Sequence, residues 1–213
     1  IAAHQGKFIQ SRSEKSILKE ISELTSLPGF AGNISDVGAP TANMYGMAGK
    51  DRSLCAKCRR KSCLFPSPCK NMDRSHRRLL DLYAEIARIK GIRHAYIGSG
   101  IRYDLFDNSP YLATVLKYHT SGRLKVAPEH TEDHVLHLMR KPPFALFERL
   151  NEDFHAICRR EGLRYQLIPY FISSHPGCME RDMKALSERV LGKLHFTLEQ
   201  VQDLTPTPMT LSS

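Results

Sequence analysis

Segments with helical spacing of apolar residues alternate with short apolar runs along the chain, and this alternation restricts the fold more than any other feature. Helical spacing is clear in Ser11–Leu24 and Ser75–Lys90, and it recurs after each later apolar run. Strands and helices that alternate in this way form parallel βα units. The sequence therefore predicts an α/β fold with a parallel sheet.

The short apolar runs are interpreted as five strands, each followed by a polar loop rich in Gly or Pro. They are Asn33–Val37, His94–Ile97, Leu124–Ala127, Tyr165–Ile172 and Val201–Leu204. Ligands bind at the carboxyl ends of parallel strands in barrels and in doubly wound sheets alike, so the loops are expected to form the walls of a pocket. The residues alone leave open which of these two architectures the chain adopts.

Two helix starts are expected from capping residues. Ser11 followed by Glu14 fits a capping box, and Thr131 fits an N-cap before the apolar positions that begin at Val135. From the residues alone, the neighbouring Glu129 is a solvated loop carboxylate, a partner of Thr131 at this helix start, or a functional group.

Four of the six cysteines lie in one short basic stretch, spaced C-x2-C-x4-C-x5-C. They are Cys55, Cys58, Cys63 and Cys69. Soft ligands this close in sequence can surround one metal ion, and cationic neighbours favour the thiolate that binds metal. The spacing predicts a metal site in an insertion at residues 48–72, while two disulfides or four free thiols are the alternatives.

Composition adds limits on compartment and partners. The chain has no apolar run long enough to span a membrane and no signal-like start, so a cytoplasmic protein with no membrane partner is expected. The net charge of +9 allows a nucleic-acid partner, but the charge is spread along the chain and poorly interleaved with aromatic residues. Nucleic-acid binding is thus a possibility that composition does not favour.

Several other chemically versatile residues are interpreted as structural. His130, His134 and His137 lack a further ligand at metal-binding spacing and are expected on the surface. Cys158 falls on the apolar face of a helix and is expected in the core, whereas Cys178 follows Pro176-Gly177 and is expected to be more exposed.

Longer strings of the sequence closely resemble radical S-adenosylmethionine (radical SAM) enzymes of the YgiQ type. The resemblance runs from His4 to Thr210, and its most specific strings are S-D-V-G-A-P-T-A-N-M-Y-G, V-A-P-E-H-T-E-D-H-V-L-H-L-M-R-K-P, Y-F-I-S-S-H-P-G-C and Q-D-L-T-P-T-P-M-T. It implies one domain across residues 1–213 with the fold of a partial (β/α) barrel. It also implies S-adenosylmethionine as a small-molecule cofactor, a [4Fe-4S] cluster and reductive cleavage to a 5′-deoxyadenosyl radical, with the substrate unknown.

The resemblance assigns cofactor-binding roles to residues at the ends of the predicted strands. They are Gly38, Ala39, Pro40, Lys125, Glu129, Ser173, His175 and Thr205. The family holds its catalytic cluster with a C-x3-C-x2-C triplet, and these 213 residues contain no such triplet. We therefore expect the cluster ligands to lie outside this chain, a chain truncated at both ends, and no radical activity from it alone.

The four cysteines then become a site beside the pocket that would take zinc or an auxiliary iron-sulfur cluster. Two competing hypotheses are a non-catalytic, zinc-dependent nucleic-acid-binding protein and a degenerate scaffold that keeps the fold without chemistry. A C-x3-C-x2-C triplet in sequence upstream of Ile1 would favour the enzyme over the scaffold.

Overall fold

A computed structural model describes residues 9–38, 41–106 and 110–210. Within them the α-helices are α1 (Glu14–Leu24), α2 (Arg52–Ala56), α3 (Arg77–Arg88), α4 (Tyr111–Tyr118), α5 (Asp133–Leu138), α6 (Ala145–Glu161) and α7 (Glu180–Ser187). The strands are β1 (Asn33–Ile34), β2 (His94–Ala95), β3 (Arg123–Glu129), β4 (Gln166–Ser173) and β5 (Gln200–Asp203). The five predicted strands are present in the predicted order, and β1 and β2 are shorter than expected.

All of the strand pairs are parallel. β1 pairs with β2, and β4 lies between β3 and β5 in a second sheet. An isolated parallel bridge between Ile101 and Val126 connects the segment after β2 to β3. The prediction of a mixed α/β fold with parallel sheets is confirmed, and the described residues do not form a closed barrel.

The helices bury one face of the sheet. Along β3, Leu124 and Val126 are almost fully buried whereas Lys125 between them is exposed, because successive side chains of a strand point to opposite faces. Leu79, Tyr83 and other apolar residues of α3 join the same core. Each such fully buried side chain contributes about 1.5–3 kcal/mol to folding.

Both capping predictions are wrong by one or two residues. The side chain of Ser13, not Ser11, accepts a hydrogen bond from Ser16 N at 3.2 Å, because α1 begins at Glu14. Helix α5 begins at Asp133, so Thr131 is too early to cap it, and its hydroxyl donates to Glu132 Oε1 at 3.2 Å instead.

The cysteine-rich segment leaves and rejoins the fold at one point. An antiparallel bridge links Gly49 to Met72, and Lys50 N donates to Asn71 O at 2.7 Å. Met72 also packs against Leu105 in a small apolar cluster that the half-buried Cys63 adjoins. The segment is therefore a folded element with its own anchoring core.

No helix within the described ranges combines the length and the apolar character that a membrane span requires.

Candidate functional site

The carboxyl end of β3 carries a buried carboxylate with an unusual backbone. Glu129 is 6% exposed and has a φ of +69°, in the left-handed region that costs a non-glycine residue about 1–3 kcal/mol. Its Oε1 accepts a hydrogen bond from Lys141 Nζ at 2.6 Å. Its Oε2 is buried and has no hydrogen-bond partner among the described residues. A strained, buried acceptor with one oxygen unused is a candidate binding group.

Two of the alternatives for Glu129 are wrong. Its burial excludes a solvated loop carboxylate, and the hydroxyl of Thr131 bonds to Glu132 rather than to Glu129. The cation that holds Glu129 is Lys141, whereas Lys125 is exposed on β3 and contributes its main-chain oxygen to Ile101 N at 3.2 Å.

Lys141 connects Glu129 to a small cleft at the ends of β4 and β5. The cleft has a volume of about 170 Å³, and its polar lining residues are Lys141, His175, Thr205, Thr207 and Thr210. Drug-sized ligands occupy pockets of roughly 300–1,000 Å³, so the cleft fits part of a nucleoside-sized molecule. The structure thus brings Thr205 and His175 together with the cation that holds Glu129.

The loop after β4, at the same end of the strands as Glu129, also has a strained backbone. Ser174 follows β4 with a φ of +59°, and its hydroxyl donates to Asp203 Oδ1 at 3.1 Å. The hydroxyl of Ser173 donates to the same carboxylate oxygen. These two hydrogen bonds hold the pKa of Asp203 below its ordinary value. Ser173 is therefore occupied in joining the ends of β4 and β5.

Gly38 lies four residues after the end of β1, in a segment where a carboxylate organises two loops. Asp36 Oδ1 accepts from Gly38 N at 2.7 Å and from Gly98 N at 3.1 Å, and Asp36 Oδ2 accepts from the Ser99 hydroxyl at 2.5 Å. Partial burial opposes ionisation, but these hydrogen bonds outweigh it and lower the pKa of Asp36. Ala39 and Pro40, assigned to the same turn, lie outside the described residues.

At Gly38 the backbone is too close to its neighbours for a larger residue. A Cβ atom there would lie 2.7 Å from Asp36 Oδ1 and 3.0 Å from Ser99 Cβ. The position therefore requires glycine, because Asp36 and Ser99 occupy the space that a side chain would fill.

The histidine after Glu129 is buried, so the prediction of a surface position for His130 is wrong. His130 is 0% exposed, and its Nδ1 accepts a hydrogen bond from Glu132 N at 3.0 Å. Its proton is therefore on Nε2, which lies 3.4 Å from Cys178 Sγ. Burial lowers the pKa of His130 and raises the pKa of the Cys178 thiol, so both groups stay neutral. This pair connects the β3 and β4 loops and does not form an activated nucleophile.

The other interpretations of histidine and cysteine agree with the structure. His134 and His137 are exposed, and Cys158 is buried in the core at 6% exposure. Cys178 is half-buried, and so is more exposed than Cys158.

The four clustered cysteines do not have the geometry of a metal site. Throughout residues 9–38, 41–106 and 110–210, the structure brings together no group of three or more His, Cys, Asp or Glu side chains that could hold a metal ion. Cys55 Sγ accepts a hydrogen bond from Asn71 Nδ2 at 3.3 Å, Cys58 is exposed, and Cys63 and Cys69 pack against the Met72 cluster. The arrangement as it stands fits no four-thiolate ligand set.

Lys141 and Asp36 were not identified from the sequence, although each had a local signal. Asp36 precedes Gly38 at a strand end, which is the pattern of a side chain that hydrogen-bonds the backbone two residues later. Lys141 directly precedes the helix-breaking Pro142, but nothing in the spacing links it to Glu129.

Together, the parallel sheets and the polar rim define an α/β protein with a candidate ligand site at the carboxyl ends of its strands. Along its whole length the chain is similar to proteins named UPF0313 protein. It is 53% identical over 224 residues to one from Bacteroides thetaiotaomicron, 51% identical over 224 residues to one from Porphyromonas gingivalis, and 46% identical over 214 residues to one from Methanocella arvoryzae.

Each match covers 100% of this chain and 36%, 35% and 36% of the respective relative, so the chain spans about a third of the length of these proteins. UPF0313 is the YgiQ-type family, so the predicted resemblance is confirmed as a similarity to YgiQ-type proteins along the whole of this chain. The names of these relatives state no activity. No family model matches the chain.

Proposed function

We propose that this chain is part of the cofactor-binding domain of a radical SAM enzyme and that its strand-end rim binds S-adenosylmethionine. The observation that carries the proposal is Glu129, a buried carboxylate that Lys141 fixes through Oε1 while Oε2 has no hydrogen-bond partner within the described residues. A desolvated, unpaired carboxylate oxygen is costly. A ligand hydroxyl that donates to Oε2 would remove this cost.

The residues of the rim have complementary roles in this proposal. Glu129 Oε2 accepts from a ribose hydroxyl, and Lys141 orients the carboxylate through its hydrogen bond to Oε1. His175 and Thr205 line the adjoining cleft, and the turn that contains Gly38 contacts the methionyl end. Bound S-adenosylmethionine, with a [4Fe-4S] cluster held by ligands outside this chain, supplies a 5′-deoxyadenosyl radical.

The partial-barrel form of the fold is part of the same proposal. The parallel strands β3, β4 and β5 are neighbours in that order, and a parallel bridge joins Ile101 to Val126. These contacts support a curved sheet that continues from β1 to β5. Such a sheet would place Gly38, Glu129 and Thr205 on one rim, where a single extended ligand could contact all three.

Equilibrium binding of S-adenosylmethionine to the chain tests the proposal. We expect Glu129→Gln to weaken binding about tenfold or more, because a hydrogen bond to a charged acceptor contributes about 1.5–3 kcal/mol. Glu152→Gln, on the exposed face of α6, removes the same charge away from the rim and should leave the affinity unchanged. Equal affinities of the two variants would refute the role of Glu129, and no binding by the native chain would favour the degenerate scaffold.

Activity is tested separately. Because the 213 residues contain no C-x3-C-x2-C triplet, anaerobic reconstitution of this chain with iron and sulfide should yield no 5′-deoxyadenosine. Formation of 5′-deoxyadenosine by the chain alone would contradict the assignment of the cluster ligands to another part of the protein.

A further inference from the structure

Lys and Arg residues are spread along the chain, but the net positive charge is concentrated in the cysteine-rich segment, residues 48–72, because the segment has few acids. The segment contains seven of the 31 Lys and Arg residues and one of the 22 Asp and Glu residues, and so carries a formal +6 of the chain's +9. Its one carboxylate, Asp51, caps α2 by accepting hydrogen bonds from Ser53 N at 2.8 Å and Leu54 N at 3.4 Å. The segment is therefore a local source of strong positive potential.

Four cations of this segment form an exposed set, which we call the basic patch: Lys57, Arg59, Lys61 and Lys70. None of the four is ion-paired with a carboxylate of the described residues. By contrast, Arg78 pairs with Glu14 at 3.0 Å and Arg189 with Glu148 at 2.8 Å. The basic patch is thus available to an external anion.

The patch is supported by a folded segment and is not a solvated run of charge. Arg60 is half-buried and donates through Nη2 to Ser67 O at 2.7 Å, which fixes the loop between the patch residues. The Ser62 hydroxyl accepts from Leu64 N at 3.1 Å, and the bridge between Gly49 and Met72 joins the two ends of the segment. Cations held on such a support lose less conformational entropy when they bind a ligand.

The segment also contacts the element that follows the candidate site. The ring of Phe65 lies 5.0 Å, centroid to centroid, from the ring of His137 on α5, and α5 begins four residues after Glu129. The segment that carries the basic patch therefore lies against α5, the helix that follows Glu129.

We propose that the basic patch docks a single-stranded nucleic acid through its phosphates. A repeated polyanion matches several lysines and arginines that are close in sequence and have one carboxylate among them, Asp51, which caps α2. A membrane surface fits less well, because Leu54 is the exposed large apolar residue of residues 48–72, and interfacial segments need an apolar face. The inference rests on the charge distribution and holds whether or not the rim binds S-adenosylmethionine.

Binding of a labelled oligouridylate of about 20 nucleotides to the chain tests this inference. If the four patch cations contact phosphates, the logarithm of affinity should fall with the logarithm of salt with a slope of roughly −3. The double variant Arg59→Gln/Lys61→Gln should reduce this slope by about half and weaken binding at about 50 mM salt by about tenfold or more.

The matched control is Arg149→Gln/Arg159→Gln, which removes the same charge from exposed positions of α6. We expect less than about a twofold effect from it, since a contact at the patch is not altered by charge removed elsewhere. Equal weakening by both double variants, or no binding at low salt, would overturn the proposal. So would tighter binding to phosphatidylserine vesicles than to the oligonucleotide. Matching far-ultraviolet circular dichroism spectra would confirm that both double variants are folded.

Discussion

At Glu129 the chain buries a carboxyl group and supplies a hydrogen bond to one of its two oxygens within the described residues. Lys141 satisfies Oε1 and is itself partly exposed, with 31% of its side chain accessible against 8% for Glu129. Oε2 has no protein donor in the described part of the chain. The geometry is therefore better suited to a bound state than to the free protein, which is typical of groups that wait for a ligand.

Replacing Lys141 should show how much free energy the burial of Glu129 costs. We expect Lys141→Met to lower the free energy of unfolding by about 1–3 kcal/mol at neutral pH, because Glu129 would remain buried without compensation. Lys184→Met is the control, since it breaks a pair with Glu180 whose side chains are 71% and 83% exposed. Such a surface pair contributes little. Urea unfolding of both variants measures the difference, and similar losses would argue against a special role for Lys141.

His76 provides a pH-dependent contribution to stability. It is 5% exposed, it stacks on Tyr111 with ring centroids 4.6 Å apart, and its Nε2 lies 3.3 Å from Asn43 Nδ2. Burial lowers its pKa to about 4. Above about pH 6.5 the histidine is neutral in both the folded and unfolded states, so it adds no pH dependence.

As the pH falls from about 6.5 to about 4, the unfolded chain takes up a proton at His76 and the folded chain does not, so stability is lost. The loss from this residue is at most about 3 kcal/mol. We expect His76→Asn, which tolerates the local φ of +57°, to flatten the fall in unfolding free energy over this range. Exposed His155→Asn should not flatten it. Chemical denaturation at several pH values measures both, and parallel curves would contradict the assignment.

Among single residues, the sequence predicted which positions lie on the rim but not how their side chains pair. Glu129 lies at the predicted strand end, yet its partner Lys141 lies beyond α5, and no local pattern links the two. His130 is expected on the surface because it lacks a further ligand at metal-binding spacing, whereas the fold buries it under the β4 loop against Cys178. Both errors come from contacts between loops, which local patterns do not encode.

At the level of elements, the apolar periodicity predicted where the helices lie but not the exact residues at which they begin. The helices follow the predicted apolar faces, and Gly162 ends α6 in the left-handed region with a φ of +67° as its position suggests. The shifted caps at α1 and α5 arise because Ser11 and Thr131 bond to Gly46 N and Glu132 instead. Several residues near a helix start can cap, and tertiary contacts decide between them.

In the cysteine-rich segment, the metal site that the cysteine spacing predicts differs from the arrangement of the side chains in the structure. The spacing predicts zinc or an iron-sulfur cluster, while the described side chains form no metal-binding group. The prediction requires the four thiolates to close around an ion when metal binds, and metal analysis with an absorption spectrum tests it. If it holds, there is one metal site per chain, colourless for zinc and brown for an iron-sulfur cluster, and lost in Cys58→Ser. Cys158→Ser, in the core, is the control for a general effect of thiol removal.

The opposite result would also be informative. If the purified chain holds no metal and Cys55, Cys58, Cys63 and Cys69 all react with a thiol reagent after unfolding, they are free thiols. The hydrogen bonds around Asn71 and Arg60 would then be sufficient to hold the segment.

For the whole molecule, parallel strand pairing was predictable, whereas the choice between a barrel and a doubly wound sheet was not. Five strands that each return through a helix must be parallel neighbours or near neighbours, and β3, β4 and β5 follow this rule. Whether the sheet bends into a partial barrel depends on strand tilt and stagger, and these come from contacts across the sheet. The register shift between Val126 and Glu129 is one such contact-dependent feature.

An edge strand gives a prediction for the behaviour of the molecule in solution. Within the described residues β5 is hydrogen-bonded to β4 on one side only, and Val201 at its centre is 46% exposed. Unpaired strand edges favour self-association. We expect the isolated chain to associate with rising concentration, and Val201→Lys to reduce this association more than Leu191→Lys, which replaces a 47% exposed residue away from any strand. Sedimentation velocity measures it, and a monomer at every concentration would be the contrary result.

The bridge between Gly49 and Met72 joins the two ends of the cysteine-rich segment, which affects how this protein could be altered. Cα atoms of residues bridged in antiparallel fashion lie about 4.5–5.5 Å apart, a gap that a short turn can close. The 22 residues between Gly49 and Met72 form a detachable module, because no strand of either sheet runs through them. Such a module can be exchanged, lengthened or deleted while the order of the strands stays intact.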